Sequence, residues 1–476
     1  MQKYEHAFGK NDIRGIYNED ITEELYYNIG FGYIAWLEKQ TAKKAQDLKI
    51  SVCMDARLHS PSLKTALIKG LVDAGVRYIE DLGLAPTPIG YYSEIAHNLD
   101  GAMIITASHN PSEYNGLKMT YNRQTLNETQ IKEVKIQTFN NWKTLPDDLS
   151  INDYSTEILS EYIAEMKEKF GEIGKGIKVV VDSANATGGI VAPQLYRELG
   201  CDVIELFSEP DGRFPNHHPN PSVLSTLETL SKTVIENKAD VGIAFDGDSD
   251  RIGVVDSQGK PLTGDKLLLI YAMDIIEQKP TVVSEVKCSQ VLYDTINNAG
   301  GNAVMCKTGH GYIKEKMKET HAILGGEMSG HTFFKDRYYG FDDAVYAGCR
   351  MIEIIAKNKK INPKFKLENI LEPFNKVFTS DEVRFPCPNH LKKEVLEAMK
   401  SEVNNNPDMF GSEIKEIVTL DGMRIVFNGG FALIRQSNTE PVFTLRFEAN
   451  NEAECERFKN TMTDCLDRLV TVKNNA

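Results

Sequence analysis

Over most of its length the chain alternates short apolar runs with longer stretches in which apolar residues recur every three or four positions. Runs at 49–54, 76–82 and 101–106 read as strands. Pro61 opens a segment carrying Leu63, Ala66, Leu67, Leu71 and Val72 at helical spacing and Gly75 ends it, which predicts a helix to about 74. Pro86-Thr87-Pro88 reads as a rigid turn into a further helix. After a polar passage at 137–156 and a helix at 158–170, the plan recurs with strands at 177–182, 203–206 and 241–245 and a helix near 224–237. It recurs again with a helix at 266–277 and strands at 281–286, 302–306 and 322–324.

Alternation of this kind predicts α/β units with largely parallel strands. In each unit a distinctive polar loop follows a short apolar strand, at 106–111, 246–251 and 325–331, so the plan reads as triplicated. Beyond about 372 the pattern changes. Strands at 381–385, 416–420, 423–427, 432–436 and 443–448 follow one another, and an amphipathic helix at 452–470 closes the chain. This predicts a smaller α+β domain with an antiparallel sheet. The expected domains are 1–153, 154–256, 257–371 and 372–476: three similar α/β units with mixed sheets plus a C-terminal α+β domain.

Composition narrows the class. The 476 residues are 41% hydrophobic and 26% charged, as in a soluble globular protein of several domains. No apolar run approaches the ~20 residues that span a bilayer, and the N-terminus lacks the basic-then-apolar layout of a signal peptide. A net charge of −14 argues against nucleic acid as a partner. The expectation is a cytoplasmic protein with no membrane partner. Eight cysteines without a C-x-x-C pair exclude a structural zinc site of that type and point to buried small hydrophobes.

The loops carry the chemistry. Ser108 stands just past the carboxyl end of a strand, where open α/β sheets place their ligands. Asp246, Asp248 and Asp250 put three carboxylates at alternate positions in one tight loop, an oxygen-rich set suited to Mg²⁺. An EF-hand would require Gly and Glu where Arg251 and Ser257 stand, so that reading fails. Ser108 lacks the G-x-S-x-G elbow of a hydrolase, and His109 is too near in sequence to serve it as a triad base. A serine carrying a phosphoryl group beside a cation is the better reading. Arg435, Ser437, Asn438 and Thr439 offer a guanidinium fork, hydroxyls and an amide, a phosphate clamp. Glu327 and Ser329 offer partners for sugar hydroxyls, and Lys118, ten residues after Ser108, can return to its loop. The adjacent His217 and His218 read as loop-packing residues rather than metal ligands.

Together the motifs T-A-S-H-N-P at 106–111, D-G-D-S-D-R at 246–251, G-E-M-S-G-H at 326–331 and R-Q-S-N-T-E-P at 435–441 resemble the α-D-phosphohexomutases, and among them the bacterial phosphomannomutase/phosphoglucomutase group. K-T-G-H at 307–310, F-P-N-H-H-P at 214–219 and F-F-K-D-R-Y-Y-G-F-D-D at 333–343 add to the likeness, which runs the length of the chain. The resemblance implies four domains around a central cleft and reversible transfer of phosphate between C1 and C6 of a phosphorylated hexose. It implies a phosphoserine at Ser108, Mg²⁺ held by Ser108, Asp246, Asp248 and Asp250, and a hexose 1,6-bisphosphate intermediate and activator. Arg14, Lys118, Arg251 and His331 would serve the transfer, with Lys118 or His331 moving the proton. Lys287, His310, Glu327 and Ser329 would hold sugar hydroxyls, and Arg435, Ser437, Asn438 and Thr439 the phosphate at rest. A monomer is expected.

Three positions depart from the pattern. Asn11 stands where Tyr is common, Cys53-Met54-Asp55-Ala56-Arg57 keeps only the Asp and final Arg of G-R-D-x-R, and Glu440 puts a carboxylate beside the clamp. The competing readings are a phosphoglucosamine mutase, disfavoured by Met328 in the 326–331 loop, a silent sugar-phosphate binding protein, and a metal phosphatase.

Overall fold

The computed structural model describes residues 2–437 and 440–474. They divide into two compact units. One comprises Met1–Thr263, Ser329–Phe334 and Phe341–Lys366; the other comprises Gly264–Met328, Lys335–Gly340 and Leu367–Ala476.

The first unit contains two sheets. Strands β1 (Ile13–Ile16), β2 (Lys49–Met54), β3 (Tyr78–Leu84), β4 (Gly101–Ile105) and β5 (Tyr114–Tyr121) lie in the order β1-β5-β4-β2-β3, with β6 (Gln124–Thr125) against β5. The trio β4-β2-β3 is parallel, while β5 runs antiparallel to both β4 and β1. Strands β7 (Lys178–Asp182), β8 (Asp202–Leu206), β9 (Val241–Phe245), β10 (Ile252–Val255) and β11 (Pro261–Leu262) repeat the scheme as β11-β10-β9-β7-β8. Here β9-β7-β8 is parallel and β10 is antiparallel to β9.

In the second unit β12 (Thr281–Glu285) is parallel to both β13 (Asn302–Cys306) and β14 (Leu324–Gly326). The order β14-β12-β13 matches β4-β2-β3 and β9-β7-β8. The triplication therefore survives as topology, and each distinctive loop follows the same strand of its trio. Strand β15 (Thr332–Phe334) belongs to the first unit. The remaining strands, β16 (Phe378–Thr379), β17 (Val383–Pro386), β18 (Ile414–Val418), β19 (Met423–Phe427), β20 (Gly430–Gln436) and β21 (Val442–Ala449), form the antiparallel C-terminal sheet. Helices Lys392–Asn405 and Glu452–Asn474 pack on that sheet through Val395, Met399, Phe458, Met462 and Leu466.

Several elements escape the sequence pattern, among them helices Glu23–Thr41, Glu128–Asn140 and Ala344–Ile361 and strand β5. Helix Glu23–Thr41 starts at Thr22, whose hydroxyl accepts from the Leu25 N–H at 3.2 Å. It buries Tyr26, Asn28, Tyr33 and Trp36 as well as its aliphatic residues, so no clean apolar stripe marks it. Strand β5 has no counterpart among the expected elements, and its residues Asn115 to Thr120 are buried between β1 and β4. Lys118 is therefore fixed on a strand, opposite Ile104, rather than carried on a returning loop. All eight cysteines are buried and unpaired. Among the described residues, no helix is long and apolar enough to cross a membrane.

Helix Thr87–Ala96 of the first sheet's layer meets helix Ile158–Phe170 through His97. Its Nδ1 lies 2.7 Å from Glu80 and its Nε2 2.8 Å from Glu161. Burial lowers the His97 pKa, but the hydrogen bonds to Glu161 and Glu80 outweigh it and raise the value. This stabilisation is complete below the unfolded value of about 6.5 and fades as pH climbs through the raised native value. Accordingly, His97→Gln should lower the melting temperature more at pH 6 than at pH 9. An equal loss at both would contradict this assignment.

Candidate active site

The Ser108 loop leaves β4 at the point where connections in the first sheet reverse direction, since β3 and β4 flank β2 on opposite sides. Ser108 has φ +49°, a left-handed conformation uncommon for serine, and its N–H donates to Thr106 Oγ1 at 2.8 Å. Strain of this kind persists only where the surroundings enforce it. Arg57, which is fully buried, supplies the enforcement. Its guanidinium donates to the carbonyls of Ser108 (2.9 Å), Asn110 (2.7 Å), Pro111 (2.5 Å) and Tyr114 (3.0 Å), and its Nε to Asp55 at 2.9 Å. The surviving Asp and Arg of the G-R-D-x-R pattern thus fold the serine loop.

The aspartate loop lies directly against it. Ser108 Oγ donates to Asp246 Oδ2 at 2.9 Å. A Cβ at Gly247 would collide with the Ser108 carbonyl oxygen, so only glycine permits this approach. Asp246, Asp248 and Asp250 are buried, with one oxygen of each within 4.8 Å of the others. Asp248 Oδ1 and Asp250 Oδ1 are buried without a hydrogen-bond partner. Unpaired carboxylate oxygens in a dry acidic loop fit a hard divalent cation, which would satisfy them.

Positive groups surround the loop. Lys118 Nζ lies 3.1 Å from Asp248 Oδ2 and pairs with Asp250 Oδ2. Arg14 donates to the Ala107 carbonyl (3.1 Å) and Asn110 Oδ1 (2.7 Å) and pairs with Asp12. The Arg251 N–H donates to Asp246 Oδ1 at 3.2 Å, and its Nε to His331 Nε2 at 3.0 Å. His331 Nδ1 lies 3.0 Å from Asp342 Oδ2. Neighbouring Asp343 caps helix Ala344–Ile361 by accepting from the Tyr346 N–H, which explains the paired aspartates of the 333–343 motif.

The charges act on one another. Burial and then the carboxylates of Asp250 and Asp248 push Asp246 well above the usual carboxylate range. For Asp250 burial is outweighed by Lys118, with help from His331 and Arg251, and the value falls below the usual range. Burial would lower Lys118, but Asp248 and Asp250 hold it well above an ordinary lysine, so it stays protonated. His109 is pushed down to about 2 by burial and by Arg251 and Arg14. It is neutral, with Nδ1 3.2 Å from Ser108 Oγ.

The sugar- and phosphate-binding candidates, except Ser329, lie in the second unit. Glu327 Oε1 accepts from the Gly309 N–H at 2.7 Å, joining the 326–331 loop to the K-T-G-H turn, where His310 opens helix His310–Thr320. Lys287 Nζ lies 3.8 Å from Glu285 and 3.6 Å from Glu382. Asp421, unremarked in the sequence, accepts from Arg435 Nε at 3.1 Å and from the Thr308 N–H at 3.2 Å. It thereby ties Arg435 to the same turn. Ser437 Oγ accepts from the Glu440 N–H at 3.2 Å, while the Glu440 carboxylate pairs with Arg384 at 2.7 Å. Asn438 and Thr439 lie outside the described residues. In the 214–219 loop Phe214 lies 5.3 Å from the Arg57 guanidinium, and His217 meets Asp182 at 3.1 Å.

The likeness to known proteins runs along the whole chain. Models of phosphoglucomutase/phosphomannomutase domains I, II and III and of the C-terminal domain match residues 5–144, 160–259, 263–374 and 382–464. The chain is 39% identical to a phosphomannomutase/phosphoglucomutase of Pseudomonas putida, over 97% of its own length and 96% of that protein's. It is 36% identical to a phosphoglucomutase of Neisseria gonorrhoeae, over 95% of each. A solved phosphoglucomutase/phosphomannomutase family structure from Burkholderia thailandensis superposes with a TM-score of 0.85 at 32% identity, covering 97% of each chain. With four domain models matched in order around a serine set against a buried carboxylate trio, the chain belongs to the phosphoglucomutase/phosphomannomutase family.

Proposed function

We propose that this chain moves phosphate reversibly between the 6- and 1-positions of mannose and glucose, through a phosphoserine at Ser108 and a hexose 1,6-bisphosphate. The observation that carries the reading is the 2.9 Å contact of Ser108 Oγ with Asp246 inside a buried carboxylate trio flanked by Lys118, Arg14 and Arg251. A divalent cation held by Asp246, Asp248, Asp250 and the serine ester, with Mg²⁺ the best match to an all-oxygen set, supplies charge neutralisation at the phosphoryl group when bound.

In the first half-reaction the bond from Ser108 Oγ to phosphorus breaks as a sugar hydroxyl oxygen bonds the same phosphorus. The hydroxyl proton leaves to a base and Ser108 Oγ regains one, so protons balance. Lys118, in contact with Asp248 and Asp250, is assigned with His331 to moving the proton, and Arg14 and Arg251 steady the transferring group. His331 is held in place between Arg251 Nε and Asp342. The second half-reaction reverses these steps with the sugar turned end for end. Lys287, His310, Glu327 and Ser329 are assigned to hydroxyl recognition, and Arg435, Ser437, Asn438 and Thr439 to the phosphate at rest. Readers that tolerate either orientation let one nucleophile serve both ends. The reading takes the chain as a cytoplasmic monomer.

Three measurements test it. Intact mass should show a single-phosphate increment that Ser108→Ala abolishes together with turnover; its persistence in that variant would exclude Ser108 as the acceptor. With a trace of bisphosphate, mannose 1-phosphate and glucose 1-phosphate should be isomerised faster than glucosamine 1-phosphate, without steady release of inorganic phosphate. Faster turnover of the amino sugar would reassign the enzyme as a phosphoglucosamine mutase, and net hydrolysis would make it a phosphatase. Asp421→Ala should raise the sugar-phosphate KM roughly tenfold, since about 1.4 kcal/mol is the scale of one hydrogen bond to a charged group. An unchanged KM would remove Asp421 from the clamp.

A further inference from the structure

The Pro86-Thr87-Pro88 turn is left unused by the reaction, yet it reaches the aspartate loop. Thr87 is fully buried and is the first residue of helix Thr87–Ala96. Its N–H, one of the donors that a helix start leaves without an intrahelical partner, donates to the Asp248 carbonyl at 2.8 Å. Its hydroxyl donates to Asp248 Oδ2 at 2.6 Å. One residue thus grips Asp248 by both main chain and side chain, across 161 positions of sequence.

The two oxygens of Asp248 therefore differ. Oδ2 takes the Thr87 hydroxyl and the Lys118 ammonium at 3.1 Å. Oδ1 is buried with no hydrogen-bond partner. A carboxylate is free to rotate about its terminal torsion unless something distinguishes its oxygens. Lys118 alone does not, because it is shared with Asp250 and can follow either oxygen.

We propose that Thr87 is a positioning residue for the cation site: its hydroxyl commits Asp248 Oδ2 and leaves Oδ1 as the oxygen presented to a divalent cation. The flanking prolines serve this role by fixing the turn. Pro86 sets the approach with φ −55°, and Pro88, in the first helical turn where no N–H is missed, holds the helix start. Hydrogen-bond partners of metal ligands commonly control affinity by roughly 10–100-fold. Without the hydroxyl, the carboxylate turns toward Lys118 and the cation loses a preset ligand.

The proposal rests on the cation reading of the aspartate loop, and the experiment separates the two. Binding of Mn²⁺ to the dephosphorylated full-length protein is followed by the loss of the free-ion electron paramagnetic resonance signal. Thr87→Val preserves shape and removes the hydroxyl; Thr87→Ser restores it. Relative to the unmodified protein, the valine variant should bind Mn²⁺ at least roughly tenfold more weakly and the serine variant within about threefold. The metal concentration giving half-maximal turnover should rise by the same factor in the valine variant, while the sugar-phosphate KM moves less than about twofold. Should the valine variant melt early without metal, Thr87→Ala reads the same constant. Equal Mn²⁺ affinity in the valine and unmodified proteins, or a serine variant as weak as the valine one, would overturn the assignment of Thr87. Absence of Mn²⁺ binding by the unmodified protein would instead overturn the cation reading itself.

Discussion

Three carboxylates buried in one turn repel one another, and the first unit is arranged around the need to offset that repulsion. Asp246, Asp248 and Asp250 have almost no contact with solvent, so water cannot screen them. The compensation comes from elements far apart in sequence: Lys118 on β5 and the loop's own Arg251 meet the carboxylates directly, while Arg14 on β1 adds positive charge at the neighbouring serine loop. Strand β5 pairs antiparallel with β4, and β1 in turn pairs antiparallel with β5, so Lys118 and Arg14 enter from the side of the sheet that flanks the strand before Ser108. The sheet's departure from a purely parallel order is thus what equips the loop electrostatically.

The backbone of the serine loop depends on a second buried charge. Arg57 converts a strained, left-handed turn into a fixed one by binding four of the surrounding carbonyls. A lysine could not reproduce this, because a point charge on a flexible stem lacks the planar fork. Gly247 then allows the aspartate loop to sit on the Ser108 carbonyl, so two domains contribute to one constellation without a covalent link.

In the second unit, buried arginines fasten the C-terminal sheet to the third α/β repeat. Arg424 donates to the carbonyls of Val286 (2.5 Å) and Cys288 (2.8 Å) and stacks on Phe431 at 3.6 Å. Arg446 meets Asp265 at 3.4 Å and the Lys287 carbonyl. Together with the Asp421 link, these contacts give Lys287, His310, Glu327 and Arg435 a common framework. Paired buried charge favours this mode of docking over others, since a displaced arginine would be left without acceptors.

The repeated strand-then-loop plan, the change to antiparallel order near residue 372 and the residue types of each distinctive loop can be read along the chain alone. Those properties are local: apolar runs set strands, and loop chemistry follows them directly in the chain. Helix Glu23–Thr41 and strand β5 were not legible, because one buries aromatic and polar residues along with its aliphatic ones and the other buries polar residues whose partners lie on β1 and β4. Asp421 carried no signal, and neither the 333–343 motif nor the 86–88 turn said what Asp342 or Thr87 would meet, for such a residue is informative only once its partner is known. Which oxygen of Asp248 meets Thr87, which carboxylates are offset and which loop Arg57 holds follow from the folded arrangement instead. Each of those depends on atoms brought together from distant positions, where distance and burial, not residue type, set the interaction.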